Sequence, residues 1–93
     1  MKDILGTEID IGDWVIRAYT PYRSPELKFG RVLDFKNTDS VKVIGIKRTA
    51  SVDGNIGSVS GKDCLFLPDS WVPQEIKDAY NVWRAKRKND YPI

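Results

Sequence analysis

The chain has 93 residues, enough for one small domain but too few for two separately packed cores. Fifteen lysines and arginines against thirteen aspartates and glutamates leave a formal net charge of +2, far below that of a histone-like protein. There is no histidine and only one cysteine, Cys64, which excludes the commonest metal ligands and an internal disulfide. The longest apolar run, residues 64–67, is too short to span a membrane. We therefore expect a cytoplasmic protein without a metal, a cofactor or a membrane partner.

Residues 1–69 combine turn residues with β-branched and aromatic runs, a pattern typical of short strands. Five strands are predicted. Four of them lie at residues 14–19, 29–35, 41–47 and 63–67, and the remaining one belongs to a hairpin at residues 52–56. Pro21 and Pro25 predict a loop between the first two strands.

Two local features specify how the middle strands are joined and shaped. Asp53-Gly54, with apolar residues on both sides, is the strongest short-range signal for a hairpin turn. In the third strand the apolar positions change parity at Val43-Ile44, beside Gly45. A β-bulge there would explain the change, because one extra residue sends every later side chain to the other face.

A helix is predicted over residues 70–88, where glycine is absent. One stripe at helical spacing holds four apolar residues: Val72, Ile76, Tyr80 and Trp83. Asp69 or Ser70 is the expected N-cap, and basic residues at the far end complement the helix dipole. We expect this helix to pack on the strands or to project from them, followed by a short tail at residues 89–93.

Five short strands followed by one helix favour a mainly β fold, with residues 1–69 forming a small closed barrel in preference to a sandwich. Three short motifs resemble the opening of KOW- and Tudor-type barrels, which are Src-homology-3-like domains. In those domains a Gly-Asp turn starts the first strand, as Gly12-Asp13 would here. A Gly-x-Val marks the second strand and a Val-x-Val the third, matching Gly30-Arg31-Val32 and Val41-Lys42-Val43.

This resemblance covers about residues 9–47 and implies two kinds of partner. KOW-type barrels are linked to RNA, ribosomes and transcription, whereas Tudor-type barrels bind methylated side chains through an aromatic cage. The overall layout, with Ile4-Leu5-Gly6 at its start, is also similar to small accessory proteins of tailed bacteriophages. One fold serves many functions, so the site residues must decide between them.

No nucleophile is paired with a base in the sequence, so we do not expect an enzyme. Residues 57–63 are similar to a phosphate-binding loop, but the glycine spacing is one residue short and Asp63 replaces the magnesium-binding hydroxyl. Cys64 lies in an apolar run and is predicted to be an inert core thiol.

The charges are unevenly distributed along the chain. Residues 1–13 hold one basic and four acidic residues, whereas residues 14–48 hold eight basic and three acidic ones. Arg17 and Tyr19 share one face of the first strand, and Arg31 would join them if the first two strands pair. The predicted binding surface comprises Arg17, Tyr19, Tyr22, Arg23, Arg31, Lys42, Lys47, Arg48, Arg84, Arg87 and Lys88.

Two functions remain open for this surface. A basic face with interleaved aromatics suits phosphate contact and base stacking, which predicts a partner that is nucleic acid or a nucleoprotein machine of transcription or translation. It equally suits an acidic protein, which for a phage-type module would be a host protein that it inhibits or redirects. In that second case the helix would present an apolar face to the partner, formed by Trp71, Ile76, Tyr80 and Trp83.

Overall fold

The structure, a computed structural model, describes residues 1–19 and 26–87. Its elements in chain order are β1 (Trp14–Tyr19), β2 (Glu26–Asn37), β3 (Ser40–Lys47), β4 (Gly57–Ser60), β5 (Leu65–Leu67) and α1 (Gln74–Lys86). Two 3₁₀ turns, Gly61–Asp63 and Asp69–Trp71, lie on either side of β5. The fold is thus mainly β with one C-terminal helix. Most of the predicted first loop and the predicted tail at residues 89–93 lie outside the described residues.

The five strands form one antiparallel sheet in the order β4-β3-β2-β1-β5. Its two edge strands are consecutive in the chain and are joined through the 3₁₀ turn Gly61–Asp63. In a flat sheet four strand spacings would separate the edges by about 19 Å, whereas three residues of 3₁₀ turn rise only about 6 Å. The sheet must therefore curl until its edges approach each other.

The predicted closed barrel is not what the structure shows, because the curled sheet stays open. β4 has four residues and β5 has three, and the two strands do not pair with each other. The chain turns from one to the other through the 3₁₀ turn, so neither strand runs far enough alongside its neighbour to form a ladder.

Strand β3, which lies between β4 and β2, is buried on both faces. Val41 and Val43 contact the core enclosed by the curled sheet, which we call the inner core. Ile44 and Ile46 contact a second, outer core between the sheet and helix α1. Alternation along β3 is therefore regular, and the predicted bulge at Val43-Ile44 is wrong. The irregularity lies in the partner strand β2, where the pairing register shifts between Val32 and Asp34.

The predicted Asp53-Gly54 hairpin is also wrong. The chain reverses earlier, in a turn where Ala50 N donates to Lys47 O at 2.8 Å and Lys47 N donates to Ser51 O at 2.9 Å. Ala50 adopts a left-handed φ of 66°, which the sequence does not signal because glycine or asparagine is usual there. Asp53 instead holds the connection against the sheet, since its N–H donates to Gly45 O at 2.8 Å.

Helix α1 packs on the outer face of the sheet. Ile76 and Tyr80 are buried there, and Tyr80 meets Trp14 edge to face with ring centres 5.7 Å apart. The helix begins after Pro73, whose carbonyl accepts from Ile76 N, so neither Asp69 nor Ser70 is its N-cap. Within the described residues, no helix has the length and apolar character needed to cross a bilayer.

The N-terminal segment is tied to the edge strand β5. The buried carboxylate of Asp3 accepts hydrogen bonds from Leu5 N at 2.9 Å, Thr7 N at 2.8 Å and Phe66 N at 2.7 Å. Ile4 N also donates to Cys64 O at 3.1 Å. The edge of β5 that does not pair with β1 is therefore covered by the N-terminal segment.

Candidate functional site

The sheet separates the predicted basic residues onto two faces. Arg17 and Tyr19 follow Val15 at every second position of β1, on the face that encloses the inner core. Arg31 is paired with Trp14, whose side chain lies in the outer core. β1 and β2 do pair, but the prediction that Arg31 would join Arg17 and Tyr19 is wrong because the register places it on the opposite face.

A groove runs along the opening between the two ends of the curled sheet. β5 pairs only with residues 14–16 of β1, so within the described part of the chain no strand lies between the next residues of β1 and the edge of β4. The space between them has a volume of about 480 Å³, and we call it the seam groove. Its polar lining consists of Arg17, Lys36, Ser40, Ser58, Ser60 and Asp63.

The seam groove and a depression beside it are lined by cations from three strands. Lys36 at the end of β2 donates from Nζ to Ser58 Oγ on β4 at 3.3 Å. A second depression of about 320 Å³ shares Lys36 and Ser58 with the seam groove and adds Lys42 of β3. We call the seam groove and this adjoining depression together the basic path: Arg17 and Lys36 line the first and Lys36 and Lys42 the second, with Asp63 as the acidic residue on the wall of the seam groove.

Lys36 is the residue of this path that sequence reasoning missed. It counted toward the basic charge of residues 14–48, but nothing in the local pattern distinguishes it from other exposed lysines. The three serines were missed for the same reason. Lys36 reaches Ser58 because β2 is twelve residues long and extends to the level of β4.

Next to Arg17, the inner face carries a buried ion pair. The ammonium of Lys28 lies 2.8 Å from Asp53 Oδ2 and 4.4 Å from the centre of the Tyr19 ring. Gly45 leaves room for the pair, because a Cβ there would lie 2.7 Å from Lys28 Cδ. The Tyr19 hydroxyl donates to Glu26 Oε2 at 2.9 Å. The pKa of Tyr19 is raised, mainly because the hydroxyl is partly removed from water and also because the Glu26 carboxylate is close to it. Tyr19 is thus engaged within the fold, where the sequence predicted a stacking platform.

The remaining predicted residues are dispersed. Lys47 and Arg48 are exposed at the end of β3, and Arg84 is exposed on α1. Arg87 lies over the Trp83 ring at 4.9 Å. The other three, Tyr22, Arg23 and Lys88, lie outside the described residues.

Of the predicted helix face, only part is open to a partner. Ile76 and Tyr80 are buried against the sheet, and Trp83 is half-buried with its ring 5.9 Å from that of Tyr80. Trp71, in the 3₁₀ turn before the helix, is 73% exposed. The apolar stripe serves mainly to dock the helix on its own sheet.

No cluster in the described part of the chain has the composition of a metal site, in the sense of three or more His, Cys, Asp or Glu side chains placed to share an ion. The Cys64 thiol is buried in the inner core and donates to Gly61 O at 3.7 Å. Burial, followed by the charges of Asp3 and Asp63, raises the pKa of this thiol.

The fold and the groove define a small, mainly β domain with an open antiparallel sheet, a helix over its outer face and a basic path at its open edge. Residues 1–65 match the model of a family described as a domain of unknown function, DUF7205, and the chain belongs to this family. The matched residues extend from the N-terminal segment to the start of β5, so helix α1 lies beyond them. No curated protein and no solved structure matches the chain.

Proposed function

We propose that this protein is a non-enzymatic binding module that holds the phosphate backbone of a nucleic acid in the seam groove. The observation that supports the proposal is that Arg17, Lys36 and Lys42 line the basic path together with the hydroxyls of Ser58 and Ser60. Cations neutralise phosphates and release counterions, and hydroxyls donate to phosphate oxygens. Both groups are supplied by different strands of one curled sheet.

The mode of binding follows from what lines the groove. The lining residues within the described part of the chain include no aromatic ring, and the Tyr19 hydroxyl is bonded to Glu26. Phosphate contacts position a nucleic acid but do not read its sequence. We therefore expect binding with little sequence preference and a strong dependence on salt.

For the fold we propose a Src-homology-3-like barrel of KOW or Tudor type that is open at its seam. Gly12-Asp13 directly precedes β1, Gly30-Arg31-Val32 lies within β2, and Val41-Lys42-Val43 lies within β3. β1 pairs with β2 on one side and with β5 on the other. These features agree with the resemblance, and from that resemblance alone we propose a role in the cytoplasm beside transcription or translation machinery.

Fluorescence anisotropy with labelled single-stranded DNA, RNA and duplex DNA tests the proposal. Between about 50 and 200 mM salt, the logarithm of the affinity should fall linearly with the logarithm of the salt concentration. Arg17→Gln, Lys36→Gln and Lys42→Gln should each reduce that slope by about one for duplex DNA.

The matched control is Lys77→Gln, which removes one charge on α1 at a lysine that pairs with Asp69 at 2.8 Å, away from the groove. It should leave the slope unchanged. The proposal would be contradicted if the affinity did not change with salt concentration. It would also be contradicted if Lys77→Gln reduced the slope as much as Lys36→Gln does.

A second candidate function is supported by the free edge of β4. An unpaired strand edge can add an extended segment of another protein through main-chain hydrogen bonds, and Arg17 and Lys36 beside it would favour an acidic segment. This is the host-protein alternative for a phage-type module. A pull-down from nuclease-treated bacterial lysate separates the two, because only a protein partner survives removal of nucleic acid.

A further inference from the structure

Three buried polar groups between helix α1 and the sheet have no hydrogen-bond partner among the described residues. They are the indole Nε1 of Trp14, the Nε of Arg31 and the hydroxyl of Tyr80, and no other buried side-chain nitrogen or oxygen in residues 1–19 and 26–87 lacks one. The Arg31 guanidinium carbon lies 5.1 Å from the centre of the Trp14 ring and 4.9 Å from that of Tyr80. The three side chains form one contact group, which we call the Arg31 cluster.

The three groups share one chemical requirement. The indole N–H of Trp14 and the Nε–H of Arg31 can only donate, and the Tyr80 hydroxyl can donate as well. Buried donors in folded proteins nearly always have an acceptor, supplied by the protein, by water or by a bound ion. The described part of the chain places these three side chains together, and none of the three groups is hydrogen-bonded to an acceptor there.

The surroundings of the cluster are positive. None of the ion pairs among the described residues includes Arg31. The nearby acid, Asp69, is paired with Lys77. This pairing is the main reason why the pKa of Asp69 is lowered, and the charge of Arg31 lowers that pKa by less. Burial raises the pKa of Tyr80, and the charges of Arg31 and Arg84 oppose that rise. Two guanidinium groups therefore act on the hydroxyl.

We propose that the Arg31 cluster binds a small oxyanion, a carboxylate or a phosphate group. The guanidinium supplies the charge and a planar set of donors that matches such an ion, while Trp14 and Tyr80 supply further hydrogen bonds. Trp14 and Tyr80 are 2% and 3% exposed, whereas Arg31 is partly exposed. Arg31 is therefore the member of the cluster that an ion from solvent would contact first.

This site is distinct from the seam groove. Arg31 lies on the outer face of the sheet and Arg17 lies on the inner face. The inference therefore goes beyond nucleic-acid binding in the groove. Arg31→Met should leave the salt dependence of nucleic-acid binding unchanged, so the two proposals can fail separately.

The experiment follows the intact chain by thermal unfolding and by the indole N–H resonance of Trp14, with sodium phosphate and sodium acetate as separate probes. Ionic strength is held constant with sodium chloride. The wild type should show a saturable rise in unfolding temperature and a saturable shift of that resonance, because a ligand that binds only the folded state stabilises it. Tyr80→Phe and Arg31→Met should each weaken the apparent affinity about tenfold or more.

Tyr80→Phe keeps the ring that packs against Trp14 and removes only the unpaired hydroxyl, so it should fold at least as well as the wild type without the probe. It therefore serves as the decisive variant if Arg31→Met does not fold. The matched control is Tyr19→Phe, whose hydroxyl is bonded to Glu26 on the other face; it should respond to the probe as the wild type does.

Saturation by phosphate alone would identify a phosphate site, and saturation by acetate alone a carboxylate site. The proposal is overturned if neither probe saturates. It is also overturned if Tyr80→Phe and Tyr19→Phe respond with the same affinity as the wild type.

Discussion

The two edge strands of the sheet are covered in different ways. At β5, the Asp3 carboxylate accepts from Phe66 N and Ile4 N donates to Cys64 O, so the N-terminal segment occupies the outer side of the strand. At β4, the outer side faces the seam groove, with Lys36 bonded to Ser58 and Arg17 across the gap. Exposed strand edges invite pairing with other chains, and proteins usually cover or charge them.

This difference indicates where the molecule is stabilised and where it acts. A buried carboxylate with several N–H donors anchors the β5 edge, and removing it should reduce stability. The β4 edge carries serine hydroxyls and lies beside the cations Arg17 and Lys36, and removing these groups should reduce binding with little loss of stability. The predictions below test this division, from the largest expected change in stability to the smallest.

Asp3→Ala should have the largest effect, lowering the free energy of unfolding by about 3 kcal/mol. The substitution leaves the N–H groups of Leu5, Thr7 and Phe66 without their charged acceptor. Urea unfolding followed by tryptophan fluorescence measures the change. Glu8→Gln in the same segment is the control, because Glu8 only pairs with the N-terminal ammonium at the surface. Equal stability of Asp3→Ala and Glu8→Gln would show that the N-terminal segment does not anchor β5.

Asp53→Ala should lower the free energy of unfolding by about 2 kcal/mol and loosen the connection that leads into β4. It leaves the Lys28 ammonium buried without its partner. Lys28→Met should cost less, because the Asp53 carboxylate that remains is more exposed. The same urea titrations measure both variants, and the reverse order of stabilities would refute this account of the pair.

Ala50→Gly should raise the free energy of unfolding by about 0.5 kcal/mol. Glycine relieves the left-handed strain at φ 66°, and this gain exceeds the added freedom of the unfolded chain and the loss of one methyl contact in the outer core. Thermal unfolding measures the change. Thr49→Gly, at the preceding exposed residue, is the control and should not stabilise the protein. A destabilised Ala50→Gly would mean that methyl packing outweighs the strain.

The acid dependence of stability should come partly from Asp3. Burial raises the pKa of its carboxyl, but hydrogen bonds from backbone N–H groups, including those of Phe66, Thr7 and Leu5, outweigh burial and hold the pKa below the ordinary value of 3.8. A group whose pKa is lower in the folded state stabilises the protein above its unfolded pKa and loses that contribution as pH falls through the folded pKa.

The contribution of Asp3 to stability should therefore be constant above about pH 5 and should decline below about pH 4. Urea midpoints at pH 7 and pH 3 measure the decline. Asp3→Asn should show a smaller decline than the wild type. Asp69→Asn is the comparison, because the pKa of Asp69 is also lowered, mainly by Lys77, and it titrates in the same direction. An Asp3→Asn variant with the full wild-type decline would assign the acid sensitivity to other carboxyls.

Local sequence patterns were sufficient for most of the elements and their kind, but not for β4, because the hairpin predicted at Asp53-Gly54 does not form. Alternating β-branched residues specify β1 to β3, and helical spacing of Ile76 and Tyr80 specifies α1 and the side that it buries. Arg17 and Tyr19 lie on one face as predicted, because alternation within a single strand is a local property. The predicted bulge in β3 is wrong because two causes give the same apolar run. A run of this kind arises when a strand is buried on both faces, as β3 is, and also when a bulge changes the parity of the apolar positions.

Tertiary structure alone decided how these elements are combined. The register between β1 and β2 placed Arg31 against Trp14 and away from Arg17, and no local pattern encodes a register. Asp3 bonds to Phe66 across 63 positions of the chain and Lys28 to Asp53 across 25, so their roles depend on contacts between distant segments. The seam groove likewise exists only because a curled sheet brings its two edges together, which the composition of neither edge strand reveals.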